Sequence, residues 1–119
     1  MQIFDARGAD DPEKMLANME GAAFGAEVSI IFEDTDKDGD GPYLHQHPYP
    51  ETFVIRMGKA LFTVGGEEQI GEAGMVLVAP KLTPHKFAVI GPDRFVSTNI
   101  HASDTFITEW LEGPRSAAG

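Results

Sequence analysis

Apolar and polar residues alternate in short runs along most of this chain, and Gly, Pro or Asp interrupts the runs every few positions. That pattern predicts short β-strands joined by tight turns. Strands are expected over residues 27–33, 43–47, 52–57, 60–64, 67–70, 75–79, 85–90 and 94–101, with a last strand or single helical turn over 106–111. Gly65-Gly66 is a strong hairpin signal between the fourth and fifth of these. In the first strand Val28, Ile30 and Phe32 share one face; residues 75–79, Met-Val-Leu-Val-Ala, read as a buried strand. Residues 10–24 are expected to form a short helix or irregular arm, because Asp10-Asp11-Pro12-Glu13 places Pro and acids where a helix begins. Many short, evenly spaced strands imply an all-β sandwich or barrel.

Composition narrows the class. The chain has 119 residues, one domain's worth, and 42% are hydrophobic, enough for a core. Nine basic residues against 19 acidic ones give a formal charge of −10. Such a chain repels phosphate backbones and anionic membranes, so neither nucleic acid nor membrane is an expected partner. There is no cysteine, hence no disulfide and no thiolate chemistry. The first residues lack a basic stretch followed by an apolar one, and no apolar run approaches spanning length, so a cytoplasmic protein is expected.

The chemistry concentrates between Gly41 and Glu51. His45 and His47 are two apart and project from the same face of a strand. Glu51 has the same parity and can join them after the turn at Pro48-Tyr49-Pro50; His85 is a possible fourth ligand. Imidazoles with a carboxylate suit a first-row divalent metal and leave positions open for water or substrate. Iron, manganese, nickel, zinc and copper all fit such donors. Phe53, Ile55 and Met57 share the parity of the ligands, and Phe87 and Val89 alternate inward with His85; these five are expected to line the pocket.

These residues also carry a resemblance to the cupins. The first cupin motif reads here as Gly39, His45, His47, Glu51 and Gly58, with every spacing met. The second reads as Gly74, Pro80 and His85, with Leu82 standing where the motif has Gly and Val89 where it has Asn. The resemblance implies a double-stranded β-helix, a small jelly-roll barrel of the kind found in bacterial single-domain cupins. On that frame residues 1–25 form the arm, 26–112 the barrel and 113–119 a flexible tail. The resemblance also implies pairing with a second copy through barrel-edge strands, for which outward Val54, Phe62 and Val64 are candidates.

Other signals are weaker. Asp34 to Asp40 imitates the start of a calcium loop, but His45 stands where a bidentate Glu is needed and Pro42 occupies a ligand position. The glycines at 65, 66, 71 and 74 are not followed by the Lys of a phosphate loop. Tyr43 shares the parity of His45 and is a candidate polar handle or proton donor, with a packing role as the alternative; Tyr49 is expected at the pocket rim, Lys81 and Lys86 at the rim or out in solvent, and Trp110 as a cap on the barrel or an interface. For His101 the favoured position is the exterior or an interface, because Val96, Thr98 and Ile100 form the apolar face of its strand; a pocket role behind the ligands is the alternative.

The expected function is that of a metal-dependent enzyme on a small oxygenated molecule, of dioxygenase, isomerase or lyase type. The competing expectation is a non-catalytic barrel that binds or senses a metabolite or metal.

Overall fold

The computed structural model describes residues 1–6 and 18–113. The expected helix start at 10–13 and the tail from 114 onward lie outside the described residues. The part of the arm that is described contains a 3-10 turn, Gly21–Phe24, closed by Gly25 in the left-handed conformation.

Among the described residues nine strands follow: β1 Ser29–Thr35, β2 His45–Gln46, β3 Glu51–Met57, β4 Lys59–Val64, β5 Glu67–Glu72, β6 Val76–Ala79, β7 His85–Val89, β8 Phe95–His101 and β9 Glu109–Trp110. They form two antiparallel sheets, ordered β1-β8-β3-β6 and β5-β4-β7-β2-β9. This is the double-stranded β-helix. No described helix is long and apolar enough to cross a membrane.

The core lies between the sheets and runs up to the histidines, where the Phe53 ring meets that of His85 edge-on at 6.0 Å. Phe53, Ile55, Ala60, Phe62, Ala79, Phe87, Val89 and Phe95 are buried together. Phe53 meets Phe62 edge-on with ring centroids 5.1 Å apart, and Phe62 meets Phe87 at 5.3 Å. Each such aromatic contact adds about 1 kcal/mol beyond the area it buries. Two glycines let strands approach closely. At Gly41 a β-carbon would collide with the Phe87 carbonyl, and Gly58, at φ +70°, leaves no room before the Arg94 carbonyl.

Four side-chain expectations are corrected. Phe62 does not face outward for a partner; it pairs directly with inward Phe87 across β4 and β7 and is 1% exposed. Val64 also packs against the core, leaving Val54 as the outward, part-buried member of that trio. Met57 does not line the pocket. A register shift between Ile55 and Met57, against β8, turns its side chain out, where it is 46% exposed. β6 is an edge strand rather than a buried one, with Val76 and Val78 exposed and Leu77 packed on the core.

The inner faces of β1 and β8 also differ from a simple apolar alternation. Ser97, Asn99 and His101 are buried, while Thr98 and Ile100 are only part-buried. Register explains it: Ile55, Phe53 and Glu51 of β3 pair with Ser97, Asn99 and His101 in turn, so these side chains share one face. The apolar outer face of β1 is covered locally by the Phe4 ring, which stacks on Phe32 at 6.0 Å, and Met19 pairs by its backbone with Ile30 along the edge of the strand.

Candidate metal centre

Ligands converge here because three strands and a turn meet at one end of the barrel. β2 pairs with β7 so that His45 and His85 are direct partners, and β3 brings Glu51 in from the other sheet. His47 follows β2 directly. His45, His47, Glu51 and His85 are all buried, and one ligand atom from each lies within 4.8 Å of all the others.

Backbone carbonyls fix the three imidazoles. His45 Nδ1 lies 2.7 Å from the Tyr43 carbonyl, His47 Nδ1 2.8 Å from that of Ile107, and His85 Nδ1 2.9 Å from that of Thr83. A carbonyl can only accept, so each Nδ1 carries the proton and donates it. Each Nε2 then presents a lone pair to the centre. Glu51 Oε1 sits 3.0 Å from His47 Nε2 and 3.2 Å from His85 Nε2. Four acceptors facing one another at such range repel unless a proton or a metal ion lies among them. The donor set therefore fits a divalent metal.

His101 has the opposite tautomer. The Tyr49 hydroxyl accepts the Ile107 N–H at 3.1 Å and lies 2.7 Å from His101 Nδ1. His101 Nε2 faces a carboxylate oxygen, which only accepts, so the ring hydrogen belongs on Nε2 and Nδ1 accepts the phenol proton. His101 Nε2 thus carries hydrogen, and it points toward Glu51 Oε2, 3.2 Å away. The alignment falls short of a hydrogen bond, so this buried nitrogen has no well-placed partner. His101 is a donor behind Glu51 rather than a ligand. Its expected exterior position is overturned, since it is 2% exposed and faces the cavity.

Burial and charge act in opposite directions here. Burial alone would raise the Glu51 carboxyl, but the hydrogen presented by His101 and, without a metal, a proton shared with His47 and His85 outweigh it and hold the group well below the usual carboxylate range. Burial, aided by His85 and His47, pushes His45 down to about 4 against the raising effect of its Tyr43 contact, so it is neutral at pH 7. Burial pushes the Tyr49 phenol up, which keeps its proton in place.

A cavity of about 210 Å³ opens beside the ligands. Phe53 and Phe87 line it as expected, together with Ile31, Phe106 and Trp110. Ile55 and Val89 lie in the core beneath it rather than on its wall. The Trp110 ring leans over His45 with centroids 5.0 Å apart. Tyr43, the expected proton donor, is 52% exposed and outside the cavity; it serves the site through its carbonyl. The chain bends at Leu44 before β2 begins, so the two-residue parity linking Tyr43 to His45 does not hold. Neither Lys81 nor Lys86 lines the cavity, and Lys86 pairs with Glu112 at 3.2 Å.

Tyr49, expected at the rim, is buried against His101. Its parity with His45, His47 and Glu51 was the signal for it. Glu33 and Asn99, which line the cavity, had no such signal in a pattern read for apolar faces. The acids of the calcium-like loop have structural partners: Asp34 pairs with Arg94, Asp38 accepts the Gly91 N–H, and Asp40 accepts from Thr35.

With fold and site in place, the comparisons agree. The Cupin domain family profile matches residues 32–101, more than half of the chain, and the protein belongs to that family. No curated protein matches it significantly. Among crystal structures it resembles an uncharacterized conserved protein with a double-stranded β-helix domain from Klebsiella pneumoniae. That match has TM-score 0.71 and 18% identity, covering 93% of this chain and 92% of that one. It resembles oxalate oxidase with TM-score 0.68 and 18% identity over 79% of its own length, and spans only 53% of that protein. The oxalate decarboxylase of Lactobacillus farciminis, a formate complex, gives TM-score 0.71 and 18% identity, covering 86% of this chain and 34% of that one. At such identities the likeness shows the fold alone.

Proposed function

We propose that this protein is a divalent-metal enzyme acting on a small oxygenated metabolite, with His45, His47, Glu51 and His85 as the ligands. The observation that carries this is the convergence of three Nε2 lone pairs and a carboxylate with every Nδ1 proton committed elsewhere. When bound, the metal supplies a Lewis acid that polarises a substrate oxygen or activates a bound water. Iron, manganese, nickel, zinc and copper all suit the donors, and the reaction class is oxygenase, isomerase or lyase.

The chain's own residues do the rest. Phe53, Phe87, Phe106 and Trp110 exclude water and strengthen the electrostatics of the site. Tyr49 orients the His101 ring, and His101 Nε2 lies 3.2 Å from Glu51 Oε2, the oxygen other than the one facing His47 and His85. Oxalate oxidase and oxalate decarboxylase among the structural neighbours support a small organic acid as the kind of substrate. Assembly with a second copy is also part of this proposal. The free edge β6, with exposed Val76 and Val78 beside Val54, is the candidate face, and sizing chromatography at micromolar concentration tests it.

The decisive experiment is elemental analysis of protein purified without chelator or nickel resin, beside His47→Ala, followed by a turnover screen with small hydroxy and keto acids. About one equivalent of metal in the wild type and a large loss in the variant is expected. No metal after reconstitution would sink the proposal. Metal and ligand binding without turnover would favour a binding or sensing module.

A further inference from the structure

The far end of the cavity carries polar chemistry that metal binding does not use. Glu33 projects inward from β1 and lines the cavity, although it is a carboxylate on a largely covered strand. It has no hydrogen bond or ion pair with another described residue. On β8, diagonal to Glu33 because Glu33 itself pairs with Ser97, Asn99 is 2% exposed and also lines the cavity. Its Oδ1 accepts from Ser97 Oγ at 2.8 Å, which leaves the amide nitrogen as a donor without a protein partner. An acceptor and a donor without protein partners thus line the cavity on its β1–β8 wall. Asn99 lies level with Ile31 and Phe53, one inward pair along from Glu51 and His101, and Glu33 lies one pair further, level with Ser97, at the greater distance from the metal ligands.

We propose that Glu33 and Asn99 recognise a hydroxyl group at the far end of the substrate and select against a second carboxylate there. This rests on the metal assignment above. A hydroxyl donates to a carboxylate and accepts from an amide at once, so it satisfies both residues. An ammonium group cannot accept from Asn99. A second carboxylate would face Glu33, and no Lys or Arg lines the cavity among the described residues. Charge counting points the same way: a divalent ion with Glu51 leaves one net positive charge, which one carboxylate of a substrate neutralises. Burial raises the Glu33 carboxyl, and Asp40 and Glu51 add to that, so this end already disfavours negative charge. The substrate class is therefore a hydroxyl-ended monocarboxylic acid or neutral polyol, not a dianion such as oxalate.

Isothermal titration of the metal-loaded protein tests this with matched acids that share an α-hydroxycarboxylate for the metal. One pair is glycerate against tartronate. The other, one carbon longer, is 2,4-dihydroxybutyrate against malate. Relative to affinities for the free ion, the hydroxyl-ended member of at least one pair should bind about tenfold tighter. Glu33→Gln, with metal content unchanged, should shrink that gap to about threefold or less. Equal or tighter binding of the diacids to the wild type overturns the inference, whether or not the variant folds. So does an undiminished gap in a folded Glu33→Gln. Binding of no acid by protein that holds its metal overturns it while leaving the metal assignment intact. Failure of the wild type to take up metal overturns both.

Discussion

At the scale of single residues, one backbone contact decides what each imidazole does. Carbonyls at Nδ1 make His45, His47 and His85 lone-pair donors to the centre, whereas a phenol at Nδ1 makes His101 a hydrogen donor. Tyr49→Phe removes the hydroxyl that orients the His101 ring and leaves the Ile107 N–H without its acceptor. Metal affinity should fall about tenfold, as for other groups that orient a ligand from behind. Competition against a chromophoric chelator measures it, and unchanged affinity would show that this orientation does not matter. Glu33 gives a pH signature in metal-free protein. Its carboxyl is raised above the ordinary 4.5 first by burial and then by Asp40 and Glu51, so the folded state holds the proton more tightly than the unfolded one. The stability this confers is fully present below pH 4.5 and is lost as pH rises through the folded value. Gln at 33 carries no such charge. The melting-temperature gain of Glu33→Gln over the wild type should therefore be larger at pH 8 than at pH 4.5, with chelator present. A gain independent of pH would place Glu33 in an ordinary solvated setting.

At the scale of elements, the second motif shows what a departure from the family pattern costs. Leu82, where the motif has Gly, sits in the left-handed region at φ +56° in the turn after β6. Its N–H bonds the His47 carbonyl at 2.7 Å, so the conformation is held by the ligand segment. The side chain is 60% exposed and loses little packing if removed. Leu82→Gly should remove a strain of about 1–2 kcal/mol against an entropic cost of about 0.5–1 kcal/mol. The net gain is about 0.5 kcal/mol, or about 2 °C for a chain of this length, and a fall in melting temperature would refute this account. Val89, where the motif has Asn, closes the core opposite Ala60 instead. The strands themselves were legible in the sequence to within a few residues, because alternation and Gly or Pro breaks are local signals. The ligand cluster was legible because its spacing matches strand parity. The inner faces of β1 and β8 were not, since the apolar side of an alternating strand was taken to face the core. In this barrel Glu33, Asn99 and His101 line the cavity, and Phe32 on the apolar side of β1 lies under Phe4 of the N-terminal segment. The turn of Met57 was hidden for another reason: a bulge reverses parity without marking the sequence.

At the scale of the whole molecule, the candidate metal centre would, once loaded, also clasp the two sheets together. His45 and His85 belong to the β5-β4-β7-β2-β9 sheet and Glu51 to the other, while His47 lies on the connection between them. In metal-free protein the same place gathers three imidazoles around a buried carboxylate, and β2, two residues long, has little ladder of its own to hold it. An ion bound there ties the short strand to β3 and β7 together. It stabilises the folded chain only, because the unfolded chain scatters the ligands. At free metal a hundredfold above Kd the gain is about 2.7 kcal/mol, which for 119 residues corresponds to a rise of about 10 °C in melting temperature. Calorimetry of metal-loaded and chelator-treated protein at pH 7 reads it. His47→Ala should abolish most of the difference without removing the fold, because the His47 ring packs on His45, Tyr49, His85 and His101 rather than on the phenylalanines of the core. Coincident melts of loaded and stripped wild type would mean that the ligands do not span the sheets through a bound ion. A shift that survives in His47→Ala would place the ion elsewhere on this acidic surface.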